Sequence, residues 1–160
     1  MALTVGTDAY VSLAACDAYH TALGNTAWTG LDAAKEVAIR KATLWVDNAY
    51  RGRWKGIRCD TTQPLAWPRW DVTDEDGLYV DSATIPTAIA NATCEAALRI
   101  IAGTDLDPDR DRGGRIKSES VGSLSVVYAD GAPSGTTYPR IDRIVSGLVA
   151  GRSSMRIERG

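Results

Sequence analysis

Apolar residues recur along the first hundred positions in steps of three and four, and this spacing predicts three helices. The first should run from about Ser12 to Leu23, with Ser12 as its cap and Gly24-Asn25 as its stop. Leu13, Cys16, Tyr19 or His20, and Leu23 would form its apolar face. The second should run from Asp32, read as its cap, to Tyr50. It would turn Val37, Ala38, Ala42, Trp45, Val46 and Ala49 inward and Lys35, Glu36, Arg40 and Lys41 mostly outward. The third should start at Pro86, a residue suited to a first helical position, and stop before Gly103. Ile85, Ile89, Ala92, Thr93, Ala96, Ala97, Ile100 and Ile101 give it a broad face in which alanine predicts close helix packing.

Between the second and third helices, residues 51–81 (RGRWKGIRCDTTQPLAWPRWDVTDEDGLYVD) show no period, and Pro64 and Pro68 forbid a continuous helix. A loop this long is held down by its own side chains or carries function. Leu65, Trp67 and Trp70 are expected to pin it. Residues 104–115 (TDLDPDRDRGGR) read as a polar linker. In Ser118 to Tyr128, Leu124, Val126 and Tyr128 alternate and Gly122 marks a bend, so this is the strand candidate. A single strand cannot satisfy its own backbone. It is expected to pair with another segment of the chain or with a neighbouring copy. After a flexible connector at 130–137, Ile141 to Val149 predicts a short last helix, and GRSSMRIERG an extended tail.

The expected fold is therefore mainly α: a small bundle of three to four helices with an extended β-strand or hairpin arm and a flexible C-terminal tail. Residues 1–103 would form the helical body with its Trp/Arg-rich loop at 51–81. Residues 104–137 would hold the linker and β arm, and 138–160 the short helix and tail.

Composition narrows the function. A net charge of −2 gives no global basic field to gather nucleic acid. No apolar run nears the roughly 20 residues of a membrane span, and the start has no secretory pattern. Three widely spaced cysteines predict free thiols in a reducing cytosol rather than a disulfide framework. The chain has one histidine, His20, no phosphate-binding glycine loop and no paired cysteine motif. The expectation is no enzyme, no metal and no cofactor, with an enzyme built on His20 or Cys16 as the weakest reading. The alternating Asp105, Asp107, Asp109 and Asp111 are broken by Pro108 and read as solvated linker.

The aromatic usage is the informative excess: five Trp and six Tyr but no Phe. Trp54, Trp67 and Trp70 lie among Arg51, Arg53, Lys55, Arg58 and Arg69. Three readings stay open: core packing of the loop, a subunit interface, or stacking and phosphate contacts to single-stranded nucleic acid.

The chain resembles the head–tail adaptor (head completion, or connector) proteins of tailed bacteriophages and gene transfer agents, a family some of whose members are labelled DnaT-like single-stranded-DNA-binding proteins. The ordered matches are TDAYVSLAACDAYHTALGNTAWTGL, KEVAIRKATLWVDNAYRGRWKGIR, QPLAWPRW, DGLYVDSATIPTAIANATCEAAL, IKSESVGSLSVVYA and YPRIDRIVSGLV, with LAWPR after GRWKG the most distinctive. The resemblance implies a structural neck subunit in a homo-oligomeric ring, commonly of about twelve copies. Its partners would be the portal and a stopper or tail terminator. DNA would pass through the channel unread, and the chain would reside in the virion neck after assembly in the host cytoplasm, away from membranes. Ser118, Val121, Leu124, Val126 and Tyr128 would then serve the subunit interface, and Arg152, Met155, Arg156, Ile157 and Arg159 the portal. Trp54, Trp67, Arg69 and Trp70 would pack the loop or join an interface. The alternative function is a single-stranded DNA-binding module.

Overall fold

Ser12 has extended backbone, and its hydroxyl accepts from the Ala15 amide at 3.2 Å, which starts α1 (Leu13–Ala22). Gly24, at φ +65°, ends that turn in a conformation that favours glycine. The computed structural model describes residues 2–108, 118–121, 124–127 and 136–150. Its helices are α1, α2 (Asp32–Ala49), α3 (Thr87–Ile101) and α4 (Pro139–Val145), the last continued by a 3₁₀ turn at Ser146–Leu148. The mainly α reading with a small β hairpin therefore holds.

Each predicted helix is present, with corrections to caps, bounds and facing. α3 begins at Thr87 with Pro86 at the cap, and the last helix is Pro139–Val145 with its 3₁₀ turn rather than Ile141–Val149. Ala49 of α2 is exposed. Leu31, not Asp32, occupies the cap position of α2, and no side chain caps it. Val37 is 48% exposed; Ile39 and Thr43 take the inward positions instead, with Ala38, Ala42 and Val46. On α1 the buried face is Cys16 and His20, while Leu23 points outward. The exchange of Val37 for Ile39 and Thr43 on α2 amounts to a rotation about the helix axis, which a period of 3.6 leaves loosely specified when alanines flank the apolar stripe.

The core forms where α2 meets α3. Ala38, Ala42, Ala92, Ala96 and Ala97 are fully or almost fully buried, and Ile39, Val46 and Ile89 fill the space these small residues leave. α4 joins α3 through Ile141 and Val145, both fully buried. At about 2 kcal/mol per buried large aliphatic side chain, these contacts outweigh the weak helix preference of the β-branched residues. Leu106, in the stretch read as a polar linker, is also buried, and its carbonyl accepts from Trp45 Nε1 at 3.2 Å. No helix of the described residues is long and apolar enough to cross a membrane.

Of the two forms expected for the β arm, strand or hairpin, the structure shows the hairpin. β3 (Ser118–Val121) pairs antiparallel with β4 (Leu124–Val127), joining Ser118 to Val127 and Val121 to Leu124. The segment thus finds its ladder partner within its own chain, the first of the two expected pairings, and no neighbouring copy is needed for it. Ser118, Val121, Leu124 and Val126 belong to this hairpin. Tyr128, Arg152, Met155, Arg156, Ile157 and Arg159 lie outside the described residues.

Candidate nucleic-acid interface

The 51–81 segment is built on two buried indoles. Trp54 and Trp67 pack edge to face with ring centroids 5.6 Å apart, and Trp54 also meets Tyr50 at 5.2 Å. Trp67 is fully buried and Trp54 nearly so. The backbone around Trp54 is stitched to the end of α4: the Lys55 amide donates to the Leu148 carbonyl at 3.0 Å and the Ala150 amide to the Arg53 carbonyl at 2.7 Å. Of the tryptophans that suggested base stacking in the sequence, Trp54 and Trp67 are therefore core residues. Their Nε1 atoms are buried without a partner in the described structure.

Trp70 is different. β1 (Ile57–Arg58) and β2 (Arg69–Trp70) form a two-rung antiparallel ribbon that pairs Ile57 with Trp70 and Arg58 with Arg69. Trp70 is 51% exposed and Ile57 63%. Successive strand residues point to opposite faces, so one face carries the Ile57–Trp70 pair and the other the two arginines. Gly56 precedes the ribbon at φ +66°, pressed against the Trp70 carbonyl; a Cβ there would stand 2.7 Å from Val72 Cγ2.

Three cations of this segment, Lys55, Arg58 and Arg69, are held by carbonyls. Arg69 donates to the carbonyls of Lys55 (2.7 Å), Gly56 (2.7 Å) and Ala66 (3.2 Å). Arg58 donates to those of Thr61 and Gln63, and the Lys55 ammonium to those of Thr73 and Gly147. Burial, and then the neighbouring Arg58 guanidinium, push the Arg69 pKa below its ordinary value. Elsewhere the pattern is reversed: Lys35 pairs with Asp17 and Arg40 with Asp8, each at 2.9 Å. Among the described residues no carboxylate forms an ion pair with Lys55, Arg58 or Arg69. Residues 51–70 carry five cations (Arg51, Arg53, Lys55, Arg58, Arg69) against one acid, Asp60. Residues 71–81 carry five acids (Asp71, Asp74, Glu75, Asp76, Asp81) and no cation. Tyr79, at 83% exposure the most open aromatic side chain here, lies in the acidic half. The basic half with Trp70 is thus the part that can face a polyanion: an indole offers a stacking surface worth about 1–3 kcal/mol per base, and the carbonyl-held cations offer charge to phosphates.

A second cluster lies in the core. Cys16 and His20, one turn apart on α1, meet Cys94 of α3, and one ligand atom from each lies within 4.8 Å of the others. All three are at most 1% exposed. His20 Nε2 is 3.2 Å from the Cys94 carbonyl and Nδ1 is 3.0 Å from the Asn25 amide nitrogen. Trp28 lies across the ring at 4.6 Å. Burial lowers the His20 pKa, so the imidazole is neutral at physiological pH. The i,i+4 spacing of Cys16 and His20 was visible in the sequence; that Cys94 would face them was not. Neither was Glu95, a buried carboxylate that accepts from Tyr19 at 2.9 Å and pairs with Arg99 at 3.2 Å and Arg140 at 3.0 Å.

Fold and surface together define a small mainly α domain that presents an aromatic-tipped basic ribbon. The chain belongs to the family described as "Putative DnaT-like ssDNA binding protein", whose sequence profile matches residues 2–160. No curated protein and no solved structure shows a significant match. The family description names single-stranded DNA rather than a neck assembly, so the head–tail adaptor reading is corrected in favour of its alternative.

Proposed function

We propose that the chain is a single-stranded DNA-binding module, not an enzyme, and that the β1–β2 ribbon with its flanking basic residues is the contact surface. The observation that carries this reading is the exposed Ile57–Trp70 pair backed by Arg58 and Arg69, cations with no carboxylate partner among the described residues. Trp70 stacks on a base. Arg51, Arg58 and Lys55 approach phosphates, and Arg69, tied to three carbonyls, keeps the ribbon rigid. The acidic 71–81 stretch limits the strand's path to one side. Such a surface reads no sequence, because every base has a π face. Membership of the DnaT-like family supports the same reading.

Trp28, Trp54 and Trp67 are buried and Trp45 is half-buried, so Trp70 is the indole open to a base. Adding an oligothymidylate at low salt should quench tryptophan fluorescence, and Trp70→Ala should remove most of the quenching while leaving the far-UV circular dichroism unchanged. Arg58→Ala should flatten the salt dependence of log K by about 0.7. Unchanged fluorescence at low salt, at micromolar protein and excess oligonucleotide, rules the proposal out.

A further inference from the structure

The core cluster where α1 crosses α3 does more than pack. We infer that Cys16, His20 and Cys94 form a binding site for a thiophilic d¹⁰ cation, with Zn²⁺ as its occupant. Two thiols and an imidazole are the donor set that zinc prefers, and it arises here from two helices rather than from a short cysteine motif. Bond lengths of about 2.3 Å to sulfur and 2.0 Å to nitrogen place the donors of a tetrahedral zinc roughly 3.5–3.8 Å apart. A trio whose donor atoms lie within 4.8 Å of one another needs to draw in by about 1 Å at its widest pair.

The surroundings suit the ion. In the metal-free chain His20 Nε2–H donates to the Cys94 carbonyl at 3.2 Å, a bond the ring must give up for Nε2 to ligate. A turn of the Asn25 side chain presents Oδ1 instead of Nδ2 to Nδ1–H. That hydrogen bond fixes the ring and leaves Nε2 for the metal, the outer-shell arrangement usual for ligating histidines. Zinc takes cysteine as thiolate, so binding exchanges two thiol protons for one Zn²⁺ and releases both to solvent. The product, two thiolates and a neutral imidazole around a divalent cation, has no net charge. That neutrality suits a pocket in which an isolated charge would cost several kcal/mol, and it favours Zn²⁺ over a monovalent copper. Three protein donors leave a fourth tetrahedral position for a water.

The test uses the full chain, reduced and stripped with chelator, with Co²⁺ as the spectroscopic probe. Stoichiometric uptake should bring sulfur-to-cobalt charge-transfer absorption in the near ultraviolet, bleached by added Zn²⁺. Cys16→Ser and Cys94→Ser should abolish it, and Cys59→Ser should retain it. His20→Gln should weaken uptake at least about tenfold. Because a serine in the core can unfold the domain, the unsubstituted and Cys59→Ser chains supply a second readout: Zn²⁺ should raise their thermal midpoints in a concentration-dependent way. Either of two results overturns the site. One is a reduced chain with neither absorption nor a midpoint rise. The other is the same signals persisting in Cys16→Ser and Cys94→Ser.

Discussion

The phenol of Tyr10 donates to the carboxylate of Asp47, joining the N-terminal segment to α2, and the pair together holds the 51–81 loop. The same Tyr10 oxygen accepts from the Trp67 amide at 3.2 Å, and the second Asp47 oxygen accepts from the Ala66 amide at 3.0 Å. Tyr10→Phe keeps the ring but leaves Asp47 and the Trp67 amide each short of a partner in a buried place. It should lower unfolding free energy by about 1–3 kcal/mol, read from urea denaturation.

Asp47 also sets a pH dependence. Burial raises its pKa above 3.8, with the Tyr10 and Ala66 hydrogen bonds acting the other way. Just above pH 3.8 the unfolded chain has begun to release this proton while the folded chain still holds it, so this group's stabilising contribution is lost as pH rises through the folded value. Asp47→Asn cannot titrate. The stability advantage of the unsubstituted chain over Asp47→Asn should therefore shrink as pH is raised from about 4 toward 6. An advantage that grows over that range would contradict the buried-carboxylate assignment.

Trp67 and Trp70 stand three residues apart and should behave as opposites. Trp67→Ala removes a fully buried indole that meets Trp54 and should cost about 3–5 kcal/mol. Trp70→Ala removes a half-exposed one and should cost less than about 1 kcal/mol while losing oligonucleotide binding. Thermal unfolding and fluorescence titration on the same two variants separate the outcomes.

Gly56 is the position where the ribbon tolerates no side chain. At φ +66°, with the Trp70 carbonyl and Val72 Cγ2 against it, an added methyl group must displace backbone. Gly56→Ala should destabilise by about 2 kcal/mol or more. It should also weaken oligonucleotide binding by misplacing Trp70. Gly52→Ala, strained at φ +76° but with open space around its Cβ, should leave the binding curve in place.

Glu95 joins three helices through Tyr19, Arg99 and Arg140. Glu95→Ala strands all of these partners and should cost about 2 kcal/mol, while Arg140→Ala, removing a half-exposed side chain that leaves Arg99 in place, should cost less than half of that. Tyr19 supplies an independent signal. Burial, then the Glu95 hydrogen bond, raise its phenol to about 12. Glu95→Ala should bring the Tyr19 titration, followed by ultraviolet absorption, back toward 10.

Helix positions were legible because their causes are local. Ser12 caps α1 by a hydrogen bond three residues away, and Gly24 and Gly103 stop helices by adopting positive φ. Pro139, which opens α4 two residues before the expected Ile141, was not read as a start. The run from Ile85 to Ile101 announced a buried helix face through spacing alone. Which side of each helix turned inward was less legible. Alanines on both sides of the apolar stripe let α2 rotate until Val37 faced solvent and Ile39 faced α3.

Residues 51–81 carried the weakest periodic signal and hold the proposed contact surface. Trp54, Trp67 and Trp70 look alike in sequence, and their separation into two core residues and one surface residue depends on the Arg58–Arg69 pairing and on contacts with Leu148 and Ala150, some ninety positions away.

The sequence by itself determined where the chain is helical, that one long segment is irregular, and that the strand region is short. These follow from propensity, capping and periodicity, which act over a few residues. Only the tertiary structure decided that the Leu124 strand turns back on Ser118–Val121, that Cys94 meets Cys16 and His20, and that Trp70 rather than Trp67 reaches the surface. Those outcomes rest on contacts between segments far apart in the chain, where burial and hydrogen-bond satisfaction choose among arrangements that local pattern treats as equal.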